Sequence, residues 1–321
     1  MNKKIILFSG DPNSINSEII YKTWKVLNNS QRKKIFLISN FNLIKDQFKK
    51  LGYKIGVVKV ENINNVINNN KIKILNIDLE YKDPFRVAHK YNSIFLKKSL
   101  EYAHRLSMSK EISGLINCPI NKNLLEKRNT GLTEFFANRC KIKKNSEVML
   151  IKNKKISVSP ITTHINLKDV IKKINRKIII EKIKTLHIWF KKYEKKIPKI
   201  CLLGLNPHNA EFNKNSEEQK ILLPIVKMLR QRGFKIDGPE SADTIFVNKY
   251  KKYDVILGMY HDQVLAPFKA LYKFDAINIT LGLKYLRVSP DHGIASDLIF
   301  KKKANPASLI SCIKFIEKYS K

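Results

Sequence analysis

The stretch Tyr253–Lys269, YDVILGMYHDQVLAPFK, decides the fold. Its apolar run, Val255–Met259, breaks at once into Tyr260, His261, Asp262 and Gln263. Lys269 follows His261 by eight residues. A short apolar run bounded by polar residues fits a strand buried on both faces. Such strands belong to parallel sheets covered by helices on each side.

The same pattern recurs along the chain. KKIILFSGD is a strand entering a turn, and residues 15–27 have helical spacing. Further strands are expected at 33–39, 53–60, 72–77 and 154–160, in ISGLINCPI and in KICLLGLNP. Helices are expected at about 85–109, 167–196, 217–232 and 306–319. Strands alternating with helices predict an α/β protein with a largely parallel sheet.

The 321 residues, 43% of them hydrophobic, are enough for two lobes. No apolar run approaches the roughly 20 residues of a membrane span. Ile5–Phe8 is too short for a secretory apolar segment, so a cytoplasmic protein is expected. Cys118, Cys140, Cys201 and Cys312 form no CxxC pair and read as reduced, buried thiols. The formal charge of +35 raises the question of nucleic acid. The lysines, however, are spread among helical apolar positions and do not form one block. A solvated basic surface, able to attract anionic substrates at long range, is the better reading.

In open α/β sheets ligands bind beyond the carboxyl ends of strands. Three strands deliver a histidine there: His164 after ISVSP, His208 after ICLLGLNP, and His261 after VILGMY. Three neutral imidazoles suit zinc, cobalt or manganese and leave positions open for substrate. A hydrogen-bonded structural role is the competing reading for each. His89, His104 and His187 sit in helix patterns and are expected at the surface or in packing. Lys269, Asn278 and Arg287 offer anion-binding groups, a point charge from lysine and a planar fork from arginine. Arg287 belongs to TLGLKYLRVSPDHGIASDL (280–298), which also holds Asp291, His292 and Asp297. GxGxxG, GxxxxGK[ST] and GxSxG are all absent from the chain.

GDPNSINSEI, NCPINK, GLTEF, TTHINL, GLNPHNAE, GPESADTIF, YHDQVLAPFK and NITLGLKYLRVSPDHGIASD occur in this order from about residue 10 to 297. Together they closely resemble the 4-hydroxythreonine-4-phosphate dehydrogenase family of pyridoxal phosphate biosynthesis. The resemblance implies a homodimer of two-lobed α/β/α subunits, similar to isocitrate and isopropylmalate dehydrogenases. Its active site would lie in the cleft between lobes and be completed by the partner subunit. The lobes would be 1–127 with 289–321, and 128–288, the second carrying the metal ligands and the dimer interface.

The resemblance also implies roles. His164, His208 and His261 match the metal ligands, for one divalent ion, with zinc favoured over cobalt, manganese or magnesium. Thr133, Lys269, Asn278 and Arg287 match substrate-binding positions. NAD, with NADP as the alternative, is expected near Asn206, Glu211, Leu281, Asp291 and His292. Asp243, Asp262 and Lys269 are the candidates for proton transfer. Orienting a ligand imidazole is the competing role for each aspartate. The implied reaction oxidises a phosphorylated secondary alcohol to a β-keto acid, which loses carbon dioxide.

Departures from the family pattern bear on function. Leu132 stands where the family has histidine. Ser14, Asn16 and Ser17 replace two glycines and a proline in the first motif. Ala210, Asn213 and Ser216 stand where the loop after NPH has glycines. Glycine supplies φ > 0, a role asparagine can partly fill. Two alternatives follow: a dehydrogenase of a related phosphorylated hydroxy-acid such as 4-phosphothreonate, or a non-catalytic ligand- or nucleic-acid-binding derivative.

Overall fold

The computed structural model describes residues 3–65, 70–124 and 131–320. The chain forms two compact units, Met1–Arg128 with Lys284–Lys321, and Asn129–Leu283. The lobe boundary expected at 127/128 lies outside the described residues.

The first unit is built on six parallel strands. They are β1 (Lys4–Phe8), β2 (Ile35–Ser39), β3 (Val57–Val60), β4 (Ile72–Asn76), β5 (Ile112–Asn117) and, from the end of the chain, β12 (Arg287–Pro290). Their order is β3-β4-β2-β1-β5-β12. Every residue of β2 is buried, as are the last four of β1. That burial on both faces explains their unbroken apolar runs. Asn40 caps the helix Phe41–Leu51 by accepting from Leu43 N at 2.9 Å.

The second unit contains β6 (Val148–Lys152), β7 (Ser157–Pro160), β8 (Ile200–Leu203), β9 (Ile236–Glu240), β10 (Val255–Gly258) and β11 (Ile277–Leu281). Their order is β11-β6-β7-β10-β8-β9. β7, β10, β8 and β9 run parallel, as the sequence predicts. β6 departs from that expectation, being antiparallel to both β7 and β11. β9, sequence IDGPE, is not among the expected strands, since glycine and proline are unusual within one. Gly238 sits at φ +125°, and a Cβ there would lie 2.2 Å from Leu202 O. The glycine lets β9 approach β8 closely.

The single helix expected over 167–196 is two helices, Leu167–Lys173 and Arg176–Trp189. Ile174 is extended between them, and the Asn175 side chain accepts from Ile178 N at 3.1 Å. Asn175 therefore starts a new helix. Asn175→Ala is expected to cost about 1 kcal/mol, seen as a lower urea midpoint with an unchanged slope. Among the described residues no helix is long and apolar enough to cross a membrane. All four cysteines are buried and free.

Candidate active site

The ends of four parallel neighbours build the site. β10 is central, paired with β7 on one side and β8 on the other, and β9 flanks β8. Because all four run the same way, their carboxyl ends share one edge of the sheet. β7 leads to His164, β10 to His261, β8 to His208 and β9 to Asp243. Three of the seven histidines in the chain are thus delivered to one edge by adjacent strands.

The rings of His164 and His261 lie 5.7 Å apart, centre to centre. His261 opens the helix His261–Tyr272, and its Nδ1–H donates to Asp262 Oδ1 at 2.6 Å. With Nδ1 carrying the proton, Nε2 is the nitrogen whose lone pair is available to a ligand. His208 is turned toward two other carboxylates. Its Nε2 is 3.5 Å from Asp243 Oδ2 and its Nδ1 is 3.4 Å from Glu211 Oε1. The His208 and Asp243 side chains are 68% and 57% exposed, so this edge is open to ligands.

Among the described residues no group of three or more His, Cys, Asp or Glu side chains converges as a metal cage. The residues still fit a divalent ion in kind. Two imidazoles bound to one tetrahedral ion, each nitrogen about 2 Å from it, place their ring centres roughly 5–6 Å apart. The spacing of His164 and His261 meets that requirement.

The loop carrying His208 is unusual. His208, Asn209, Ala210, Glu211 and Phe212 all have left-handed φ, between +46° and +57°. None is glycine, and this conformation costs roughly 1–2 kcal/mol per residue. Ala210 takes the left-handed state at φ +51°, while Asn213, the residue better suited to it, has φ −50°. Asn213 does not fill that role: the left-handed run ends at Phe212, and the asparagine within it is Asn209.

Glu218, fully buried, holds the loop from below. Its Oε1 accepts from Leu205 N at 2.8 Å and Asn206 N at 2.9 Å. Its Oε2 accepts from Asn206 Nδ2 at 3.0 Å. Burial alone would raise the Glu218 carboxyl, but the hydrogen bonds from Asn206 and Leu205 outweigh it and hold it below its ordinary 4.5. A depressed carboxylate contributes stability that is complete above its unfolded value and is lost as pH falls through the folded value. Glu218→Gln is therefore expected to lower the urea midpoint at neutral pH and to flatten its decline over roughly pH 3–6.

The remaining predicted residues lie as follows. Thr133 is buried, its Oγ1 3.3 Å from Thr280 Oγ1. Asn278 lies on β11, and its buried Oδ1 has no hydrogen-bond partner among the described residues, as a ligand-facing acceptor would. Lys269 Nζ sits 4.7 Å from the centre of the Phe274 ring. Leu281 is buried, so any contact with cofactor would be made by its backbone. In the other unit Arg287 is 2% exposed and its Nε–H donates to Asn117 Oδ1 at 2.6 Å. Asp291 N donates to Ser308 Oγ at 2.8 Å, and half-buried His292 donates from Nδ1 to Gly293 O at 2.9 Å. His104 meets Tyr285 OH at 3.0 Å and His187 packs on Phe234.

Sequence reasoning missed two carboxylates. Glu218 is one. Glu134, directly after Thr133, accepts from Thr163 Oγ1 at 2.9 Å and so braces the residue before His164. An acidic residue inside GLTEF, next to a substrate-type threonine, was the available signal.

Comparison with known proteins places this edge in context. Residues 30–316 match the family model described as pyridoxal phosphate biosynthetic protein PdxA. A 4-hydroxythreonine-4-phosphate dehydrogenase from Sulfurihydrogenibium sp. (strain YO3AOP1) is 36% identical, covering 97% of this chain and 96% of its own. The enzyme of that name from Aquifex aeolicus (strain VF5) is 33% identical, covering 99% and 98%. The crystal structure of 4-hydroxythreonine-4-phosphate dehydrogenase from Klebsiella pneumoniae superposes with a TM-score of 0.83 at 24% identity, over 100% and 98% of the two chains. A β-decarboxylating dehydrogenase from Thermococcus kodakarensis shares the fold at a TM-score of 0.52 and 12% identity, over 99% and 83%. The match over most of the chain, with its motifs on one edge of four parallel strands, shows that the chain belongs to the PdxA family, whose curated members carry the name 4-hydroxythreonine-4-phosphate dehydrogenase.

Proposed function

We propose that this protein catalyses the metal-dependent, NAD-linked oxidation of 4-hydroxy-L-threonine 4-phosphate. The product, 2-amino-3-oxo-4-(phosphooxy)butanoate, would decarboxylate to 3-amino-2-oxopropyl phosphate in pyridoxine 5′-phosphate biosynthesis. The observation that carries the reading is the delivery of His164, His261 and His208 by three adjacent parallel strands. The four free, buried cysteines accord with a reducing, cytoplasmic setting. The open edge around His208 and Asp243 accords with a homodimer in which the partner subunit completes the site.

When bound, a divalent cation held by His164, His208 and His261 supplies Lewis acidity, and NAD, or NADP, supplies the hydride acceptor. The chain's own groups do the rest. Asp262 fixes the His261 imidazole through Nδ1, which suits it better to orienting than to proton transfer. Asp243, exposed at the same edge, is left as the base for the substrate hydroxyl. Lys269 offers a cation to the phosphate and a proton donor as the carboxylate is lost. Thr133 and Asn278 orient the substrate by hydrogen bonds, and Arg287 binds an anionic group. Asn206, Glu211, Leu281, Asp291 and His292 are assigned to the dinucleotide.

A second reading, oxidation of 4-phosphothreonate, is favoured by one observation, Leu132 in place of the family histidine. Cation binding tests the shared core of both readings. Equilibrium dialysis with cobalt(II) is expected to show one ion per chain with a visible spectrum typical of nitrogen ligation. No ion retained would overturn it.

A further inference from the structure

We infer that Gln263 is a positioning residue that ties the three histidine loops to one another. The inference rests on the reading of His164, His208 and His261 as ion ligands. Its structural basis is a gap in the sheet. The β10–β8 ladder ends at Leu257 and Leu202, after which the two chains separate toward His261 and His208. The Gln263 side chain, 8% exposed, spans that separation. Its Oε1 accepts from Met259 N at 2.6 Å, and its Nε2 donates to Gly204 O at 2.7 Å. The primary amide thus takes the place of a peptide group, with one acceptor and one donor, where backbone pairing has stopped.

The tie continues on both sides. Met259 O accepts from Thr162 N at 3.1 Å and from Thr162 Oγ1 at 2.7 Å, two residues before His164. Gly204 N donates to Glu240 O at 2.9 Å, three residues before Asp243. One buried chain of hydrogen bonds therefore links β7, β10, β8 and β9 where each releases its site residue. The fit is close: a Cβ on Gly258 would lie 2.9 Å from Gln263 Oε1 and 2.6 Å from Val264 Cγ1. Neighbouring His261 and Asp262 point to the open edge, whereas Gln263 points into the sheet. Ligand geometry depends on such supporting bonds, and losing one weakens metal binding by about 10–100-fold.

The test compares the full-length protein with Gln263→Met, which keeps the shape and removes both bonds, and Gln263→Glu, which keeps only the acceptor. Amide hydrogen exchange read by mass spectrometry needs no bound metal. In Gln263→Met, exchange is expected to rise about tenfold or more across 161–164, 204–208 and 259–262 together. In Gln263→Glu the rise is expected mainly at 204–208. A rise confined to 259–263, or no rise, in either variant that folds would overturn the proposal. Cobalt(II) affinity is the second readout, expected to fall about 10–100-fold in Gln263→Met. Unchanged affinity in a folded variant would also overturn it. Failure of the wild-type protein to bind cobalt would overturn the ion-ligand reading instead, and the exchange pattern would still decide the tie.

Discussion

His208→Ala is expected to reduce kcat/KM for NADH formation at least ~10³-fold while leaving the fold intact. The size follows from the several kcal/mol that a bound ion contributes to stabilising charge at a reacting oxygen, with each 1.36 kcal/mol worth tenfold in rate. The intact fold follows from exposure: the His208 side chain is 68% accessible, and the two carboxylates its ring nitrogens face, Asp243 and Glu211, are exposed as well. Removing it also leaves no buried partner unsatisfied. Steady-state kinetics at saturating cation, with a urea curve on the same sample, checks both parts. A loss of less than tenfold would remove His208 from the ion site and reduce it to a partner of the two carboxylates.

Arg287→Ala is expected to raise KM for the phosphorylated substrate about 10²-fold and to destabilise the protein by about 1–3 kcal/mol. Two physical effects combine. An arginine–anion pair is a charge-assisted, bidentate contact that lysine reproduces poorly. Arg287 is also buried, and its loss leaves Asn117 Oδ1 without the 2.6 Å bond it now accepts. Arg287→Lys keeps the charge but loses the fork, so its KM is expected to rise less than that of Arg287→Ala. If both variants lose stability and neither changes KM, Arg287 is a core residue and the anion falls to Lys269 alone.

Much of this was legible in the sequence, for reasons that specific residues make plain. β8 and β10, and β1 after Lys4, are apolar runs because both faces are covered, and polar residues follow within a few positions of each strand end. The histidine following β7, β8 and β10 could therefore be assigned to strand ends from local pattern alone. Adjacency could not. That β10 lies between β7 and β8 is a property of pairing between residues about 55 to 98 positions apart, which no local window contains. β9 was hidden by Gly238 and Pro239, residues unusual within a strand; the glycine is required by the close approach of Leu202 O. The helix break at Ile174 was hidden because apolar spacing runs on through Asn175, and only the bond to Ile178 N reveals the cap.

The left-handed run at His208–Phe212 contradicts local preference most at Ala210, Glu211 and Phe212. Such conformations persist where the surroundings fix them and cluster at functional sites. Here the visible surroundings are Glu218 below the loop and the Asn209 Nδ2 bond to Pro239 O at 3.2 Å. The same logic covers Gln263, whose sequence position beside two site residues suggests the open edge but whose bonds lie in the sheet.

NADH formation by the purified, metal-loaded protein is the measurement that tests the central claim most directly. 4-Hydroxythreonine 4-phosphate and 4-phosphothreonate would be offered in parallel, with and without chelator. The account predicts near-ultraviolet absorbance rising with the first substrate and abolished by chelator. Activity on the second alone would move the protein to the sister reaction and make Leu132 the specificity residue. Silence on both, with metal bound, would contradict the account.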